Sequence, residues 1–143
     1  IRNGRTYMYS KKKPLYAFGH GLSYTTFKYN SVETSSETIS KNEELKVTVS
    51  ITNNGNKDGD EVVQLYAKQL ESKVERPEKE LKAFKRVFFK AGETKNVDLI
   101  LKAKDLEYWN TSKQAFEFEK NTIEIQIGNA SDNILLKKKI VAK

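Results

Sequence analysis

A single histidine, His20, stands between Gly19 and Gly21, and the 143 residues contain no cysteine. These facts remove thiolate metal sites, cysteine nucleophiles, disulfide scaffolds and any Ser-His-Asp triad not built on His20. One imidazole does not make a metal centre. His20 is either presented to a ligand by its glycine neighbours or fills a polar junction through local hydrogen bonds. A carboxylate pair for acid/base work could be drawn from the 19 acids, but nothing singles one out. Glu117, Glu119 and Glu124 alternate outward on extended segments, and Asp58, Asp60 and Asp132 occupy turns. The oxygen-rich stretch Asn56 to Asp60 lacks the closing glutamate and helical flanks of a calcium loop, so a hairpin turn accounts for it better than a weak cation site. Trp109, beside Tyr108, is either a flat ring offered to a sugar or a plug at the end of the core.

Charge excludes more than it suggests. The net charge is +7, but residues 1–30 hold six basic groups and no acid, while the remaining 113 residues carry the other 20 basic groups and all 19 acids, a balance of +1. The basic triplets Lys11-Lys12-Lys13 and Lys137-Lys138-Lys139 are not interleaved with aromatic residues, so solvated lysine faces are expected and nucleic acid is not an expected partner. No apolar run approaches the roughly 20 residues that span a bilayer, so no membrane partner is expected. The chain opens Ile1-Arg2-Asn3-Gly4 without an initiator methionine, and the expectation is a soluble unit that begins inside a longer polypeptide.

Extended elements must position these groups. Leu45, Val47, Val49 and Ile51 alternate with Lys46, Thr48, Ser50 and Thr52, the pattern of a half-buried strand over 43–53. The Asn53 to Asp60 stretch then turns the chain into a second strand over 61–67. Leu81, Phe84, Val87 and Phe89 break a period of two, and a β-bulge is the expected reason. Val97, Leu99 and Leu101 alternate, residues 103–109 form a single-turn corner, Phe116 and Phe118 mark a strand, Ile123, Ile125 and Ile127 another, and 134–141 the last. Seven or eight strands without a long amphipathic helix predict an all-β immunoglobulin/fibronectin type III-like sandwich over 24–143. Its expected core is Leu45, Val47, Val49, Ile51, Val63, Leu65, Val97, Leu99, Phe116, Phe118, Ile123, Ile125 and Ile127. Residues 1–23 carry Tyr7, Tyr9, Tyr16 and Phe18 without periodicity, as an irregular strap lying across another surface would. Tyr16, Phe18, His20 and Leu22 are its candidate inter-domain docking residues.

The stretch Gly4-Arg5-Thr6-Tyr7, then Pro14 through Phe27, resembles the junction before the C-terminal fibronectin type III-like domain of glycoside hydrolase family 3 β-glycosidases. Gly59-Asp60-Glu61-Val62-Val63-Gln64-Leu65-Tyr66, Arg76 to Phe84, Ala91-Gly92-Glu93 and Ile125-Gln126-Ile127-Gly128 follow in the family's order. Ala17, Phe116 and Asn121 stand where the family often has proline, tryptophan and glycine. The resemblance implies a non-catalytic accessory domain that buttresses catalytic domains hydrolysing β-linked glucosides or xylosides, in a secreted or periplasmic enzyme. It also implies that the nucleophilic aspartate, in a Ser-Asp-Trp setting, lies elsewhere: here Ser131-Asp132 is followed by Asn133, and no catalytic, substrate-binding, cofactor or metal residue is assigned. The partners expected are the catalytic domains of the parent enzyme and, in an alternative reading, a polysaccharide held by a stand-alone binding or cell-surface adhesion module.

Overall fold

The computed structural model describes residues 6–10 and 14–143; residues 1–5 of the strap and the Lys11-Lys12-Lys13 triplet lie outside the described residues. Among the described residues, eight strands form two packed sheets. The smaller sheet has the order β1-β3-β6, from β1 (Phe27–Thr34), β3 (Glu44–Asn53) and β6 (Thr94–Lys102). The larger has the order β2-β10-β9-β4-β5, from β2 (Thr38–Ile39), β4 (Gly59–Gln69), β5 (Glu80–Phe89), β9 (Thr122–Ala130) and β10 (Asn133–Ala142). All pairings are antiparallel except β2 with β10, which is parallel. A single 3₁₀ turn, Ala103–Leu106, leads to a separate two-stranded ribbon, β7 (Tyr108–Asn110) and β8 (Ala115–Glu117).

Register follows from alternation. On β3 and β6 the apolar residues meet as Leu45↔Leu101, Val47↔Leu99 and Val49↔Val97, and on β4 and β9 as Leu65↔Ile127 and Ala67↔Ile125. These side chains close one buried cluster between the sheets, each large aliphatic stabilising the fold by about 1.5–3 kcal/mol through lost apolar exposure. The bulge expected in β5 is present: Leu65 pairs with Ala83 but Tyr66 with Leu81, so Lys82 is the extra residue. Beyond it Ala83, Val87 and Phe89 face inward, leaving Phe84 and Phe88 exposed.

Two expectations need correction. Phe116 is 62% exposed and outside the core, because β8 belongs to the ribbon rather than to a sandwich sheet; only Phe118, just past the ribbon, packs against the buried cluster. Trp109 does not plug the sandwich end: it is 48% exposed and meets Phe116 across the ribbon with ring centroids 5.2 Å apart at 73°. The Asn53–Asp60 turn is closed by its own polar groups. Asn53 Oδ1 accepts from Thr25 Oγ1 and the Gly55 amide, Asn53 Nδ2 donates to the Lys57 carbonyl, Asp58 accepts from the Ala91 amide and Asp60 from Arg86. Its carboxylates are thereby committed to hairpin and strand contacts.

Candidate docking face and the opposite groove

The described part of the strap, residues 6–10 and 14–23, lies across the outer face of the larger sheet. On β4 the even positions point away from the core, yet Gln64 and Tyr66 are buried there. Tyr7 stacks on Phe18 at 4.4 Å and meets the Tyr66 ring edge-on at 6.0 Å. Backbone bonds pin the cover: the Glu78 amide donates to the Met8 carbonyl (2.8 Å), the Ser131 amide to the Phe18 carbonyl (2.8 Å), and the Leu81 amide to the Tyr7 hydroxyl (3.0 Å).

One side-chain amide organises this contact. Gln64 Nε2 donates to the Gly19 carbonyl (3.2 Å) and to the Asn129 carbonyl (2.6 Å), while Gln64 Oε1 accepts from the Tyr66 hydroxyl (2.5 Å). Both donors and the acceptor are used, as burial of an amide demands. Gly19 is required here twice over: its φ is +79°, and a Cβ would fall 2.3 Å from Gln64 Oε1. Lys79 closes the side of the cover, its ammonium donating to the Ser131 carbonyl and lying 5.9 Å from the Tyr66 ring centroid. Burial lowers the Lys79 pKa from the usual lysine range and raises that of the Tyr66 phenol.

A cleft of ≈ 650 Å³ runs between strap and sheet, with Tyr7, Tyr16, Phe18, Lys79 and Asp132 among its walls. The candidate docking residues lie on this segment. Phe18 is held against the sheet with part of its ring exposed, Tyr16 is exposed with its ring 5.6 Å from that of His20, and Leu22 is 94% exposed. His20 is exposed, its amide bonded to the Ala17 carbonyl in a tight turn. Sequence reasoning missed two neighbours of the same kind, Leu15 at 91% and Tyr24 at 92% exposure. The signal was present: both are large apolar residues flanking the four that were chosen.

Beneath this end sits Glu61, buried and without a cationic partner among the described residues, accepting from the Tyr29 hydroxyl at 2.9 Å. Burial raises its pKa, opposed by the hydrogen bonds from Tyr29 and Asn129.

The far end of the sandwich has a different character. There Arg76 and Glu119 form a largely buried ion pair at 3.2 Å, with the guanidinium 4.4 Å from the Tyr108 ring centroid. Glu117 accepts from Lys113, Asn110 and Tyr108, which hold its pKa down to about 2. An open groove of ≈ 630 Å³ beside the ribbon brings together Lys41, Lys73, Lys113, Lys120 and Lys143 along a wall that includes Phe116. Sequence reasoning missed it, because these lysines come from five separate segments. Among the described residues no group of three or more His, Cys, Asp or Glu is placed to hold a metal ion.

Two packed β-sheets with this strand order, and a family model matching residues 61–131, define the class: the chain belongs to the fibronectin type III-like family. It is similar to the thermostable β-glucosidase B of Acetivibrio thermocellus (41% identity over 128 residues, 90% of this chain and 17% of that enzyme) and to a β-xylosidase of Formosa agariphila (42% over 125 residues, 87% and 17%). A periplasmic β-glucosidase of Salmonella typhimurium is 36% identical over 115 residues, 80% of this chain and 15% of that protein. The solved β-glucosidase of Kluyveromyces marxianus in complex with glucose superimposes with a TM-score of 0.88 at 35% identity, over 96% of this chain and 17% of that one. More narrowly, the chain is a fibronectin type III-like domain similar to a stretch of these β-glucosidases and β-xylosidases, and it spans about a sixth of the length of the relatives it matches.

Proposed function

We propose that this chain serves as the non-catalytic buttress of an enzyme that hydrolyses β-linked glucosides or xylosides, and that it docks on the catalytic domains through its strap. The observation that carries this reading is the concentration of exposed apolar side chains, Leu15, Tyr16, Leu22 and Tyr24 with part of Phe18, on a segment whose backbone is already bonded to the sandwich. A pinned segment presents these rings with little further ordering cost, and exposed apolar clusters of this kind mark interaction surfaces. Tyr16, Phe18, His20 and Leu22 are the docking residues, with Leu15 and Tyr24 extending the patch. The periplasmic enzyme among the relatives supports a secreted or periplasmic setting.

The test is co-elution of the 143-residue chain with the separately produced remainder of its enzyme, together with hydrolysis of chromogenic β-glucosides and β-xylosides. Wild-type chain is expected to co-elute and to hydrolyse nothing by itself, whereas a Tyr16→Asp, Leu22→Asp variant elutes alone. Turnover by the repurified chain, or unimpaired co-elution of the variant, would sink the reading.

A further inference from the structure

The even charge balance of residues 31–143 conceals a local surplus. In the groove beside the ribbon the two carboxylates are already matched, Glu117 by Lys113 and Glu119 by Arg76. Lys41, Lys73, Lys120 and Lys143 are exposed and make no ion pair among the described residues. They arrive from the turn before β3, the loop after β4, the segment before β9 and the end of β10. The ammonium groups of Lys41, Lys73 and Lys120, with that of Lys143 offset in the 143-residue chain by its own α-carboxylate, repel one another and focus a positive potential that an anionic ligand relieves. Phe116 adds an exposed apolar wall to the same groove.

We propose that this groove binds an acidic polysaccharide, its carboxylate or sulfate groups set against Lys41, Lys73, Lys120 and Lys143 and a sugar C–H face laid on the Phe116 ring. The aromatic geometry favours a glycan over a nucleic acid. Trp109 meets Phe116 edge-on at 73°, so the groove offers one exposed ring face, Phe116, rather than the row of rings on which successive bases stack, and one ring is enough for one pyranose face. The choice of a glycan over an acidic peptide rests on the reading of the chain as part of a β-glycosidase. The groove stands at the end of the sandwich where β3 and β9 begin. The residues just past the strap, around Thr25, contact the other end, through Asn53 at the close of β3 and Gly59 at the start of β4. One molecule can therefore hold a polymer at one end while docked at the other, which raises the local concentration of glycan near the enzyme.

The experiment is affinity electrophoresis of the 143-residue chain in gels containing polygalacturonate, dextran sulfate or neutral xylan, at about 0.1 M salt, where surface charges still interact over roughly 10 Å. Retardation is expected in an acidic gel and not in xylan; retardation by polygalacturonate alone assigns the groove to uronates, and by dextran sulfate alone to sulfated glycans. A Lys73→Gln, Lys120→Gln variant should raise the dissociation constant about tenfold, since each lost ammonium removes one counterion-releasing contact. Lys28→Gln with Lys57→Gln, two exposed lysines at the strap end, should leave it within about twofold, as screening over such a distance requires. Phe116→Ala should weaken binding about threefold with an unchanged melting temperature, the scale of a lost ring contact. No retardation, equal loss in both lysine variants, tighter binding to duplex DNA, or no effect of Phe116→Ala each overturns the proposal. The Tyr16→Asp, Leu22→Asp variant leaves the groove intact, so docking and glycan binding fail separately.

Discussion

The two ends of this sandwich share one core and treat their polar groups in opposite ways. At the strap end the buried polar atoms are mostly neutral amides and hydroxyls satisfied internally: Gln64 by Gly19, Asn129 and Tyr66, and Asn53 by Thr25, Gly55 and Lys57. What that end offers outward is apolar. At the ribbon end the partners are ionic, with Arg76 on Glu119 and Lys113 on Glu117, and what remains outward is cationic. The contrast shows that one sandwich core can carry two unlike surfaces, even though Thr6 Oγ1 on the strap and both amide atoms of Asn121 near the ribbon are buried without a hydrogen-bond partner among the described residues.

If the ends differ only in surface, the core must serve both. Ile125→Ala, in the centre of β9 and fully buried, should cost about 3–4 kcal/mol through lost burial and the cavity left behind. Urea unfolding followed by Trp109 fluorescence, which reads the ribbon, and by amide exchange around Gly19, which reads the strap, should show both melting together. Separate transitions would break the comparison by making the ends independent units.

Arg76→Ala tests the ionic end. It strands Glu119 in a site where both partners are largely buried and removes the cation stacked on Tyr108, so a loss of about 2–3 kcal/mol is expected. The fall in urea midpoint should be partly recovered by adding Glu119→Gln. Full stability of Arg76→Ala would mean that the pair is solvent-screened and the end is not organised by it.

The smallest effect belongs to Glu61 at the strap end. Its folded pKa lies above the ordinary glutamate value, so the native state holds the proton more tightly than the unfolded chain. The stability this proton contributes is fully present below the unfolded pKa near 4.3 and is lost as pH rises through the folded pKa. Comparing wild type with Glu61→Gln by urea midpoint between about pH 4 and 8, the variant should gain on wild type as pH rises. A constant difference would show that Tyr29 and Asn129 fully offset the burial of the carboxylate.

Much of the fold was legible where one face of a strand is buried and the other wet. β3, β6 and β9 read directly from Leu45 to Ile51, Val97 to Leu101 and Ile123 to Ile127, and the broken period in β5 correctly implied a bulge. β1 was not legible, because its own irregularity between Tyr29 and Ser31 shifts the inward face partway along. The placing of Phe116 failed for a related reason. In a three-residue ribbon strand neither face is committed to the core, so alternation carries no information about burial. The apolar docking candidates were visible as rings without periodicity. The basic groove was not, since no window of sequence contains Lys41, Lys73, Lys120 and Lys143; only the return of β3, β4, β9 and β10 to the same end assembles it.

The parallel pairing of β2 with β10 bears on how the molecule comes into being. β10 is an interior strand of the larger sheet, between β2 and β9, and among the eight sandwich strands it is the last to be synthesised. Until Asn133–Ala142 has emerged, β2 has no neighbour to bond, β9 has one bare edge, and Ile140 is missing from the cluster that the other sheet must cover. Completion of the larger sheet therefore waits for Asn133–Ala142, and β2 finds its place only by closing a loop of about 100 residues. Synthesis order and folding order are opposed here: the nascent chain carries exposed strand edges until translation of β10 is complete, which makes that interval the one in which a chaperone or a wrong partner has most to act upon.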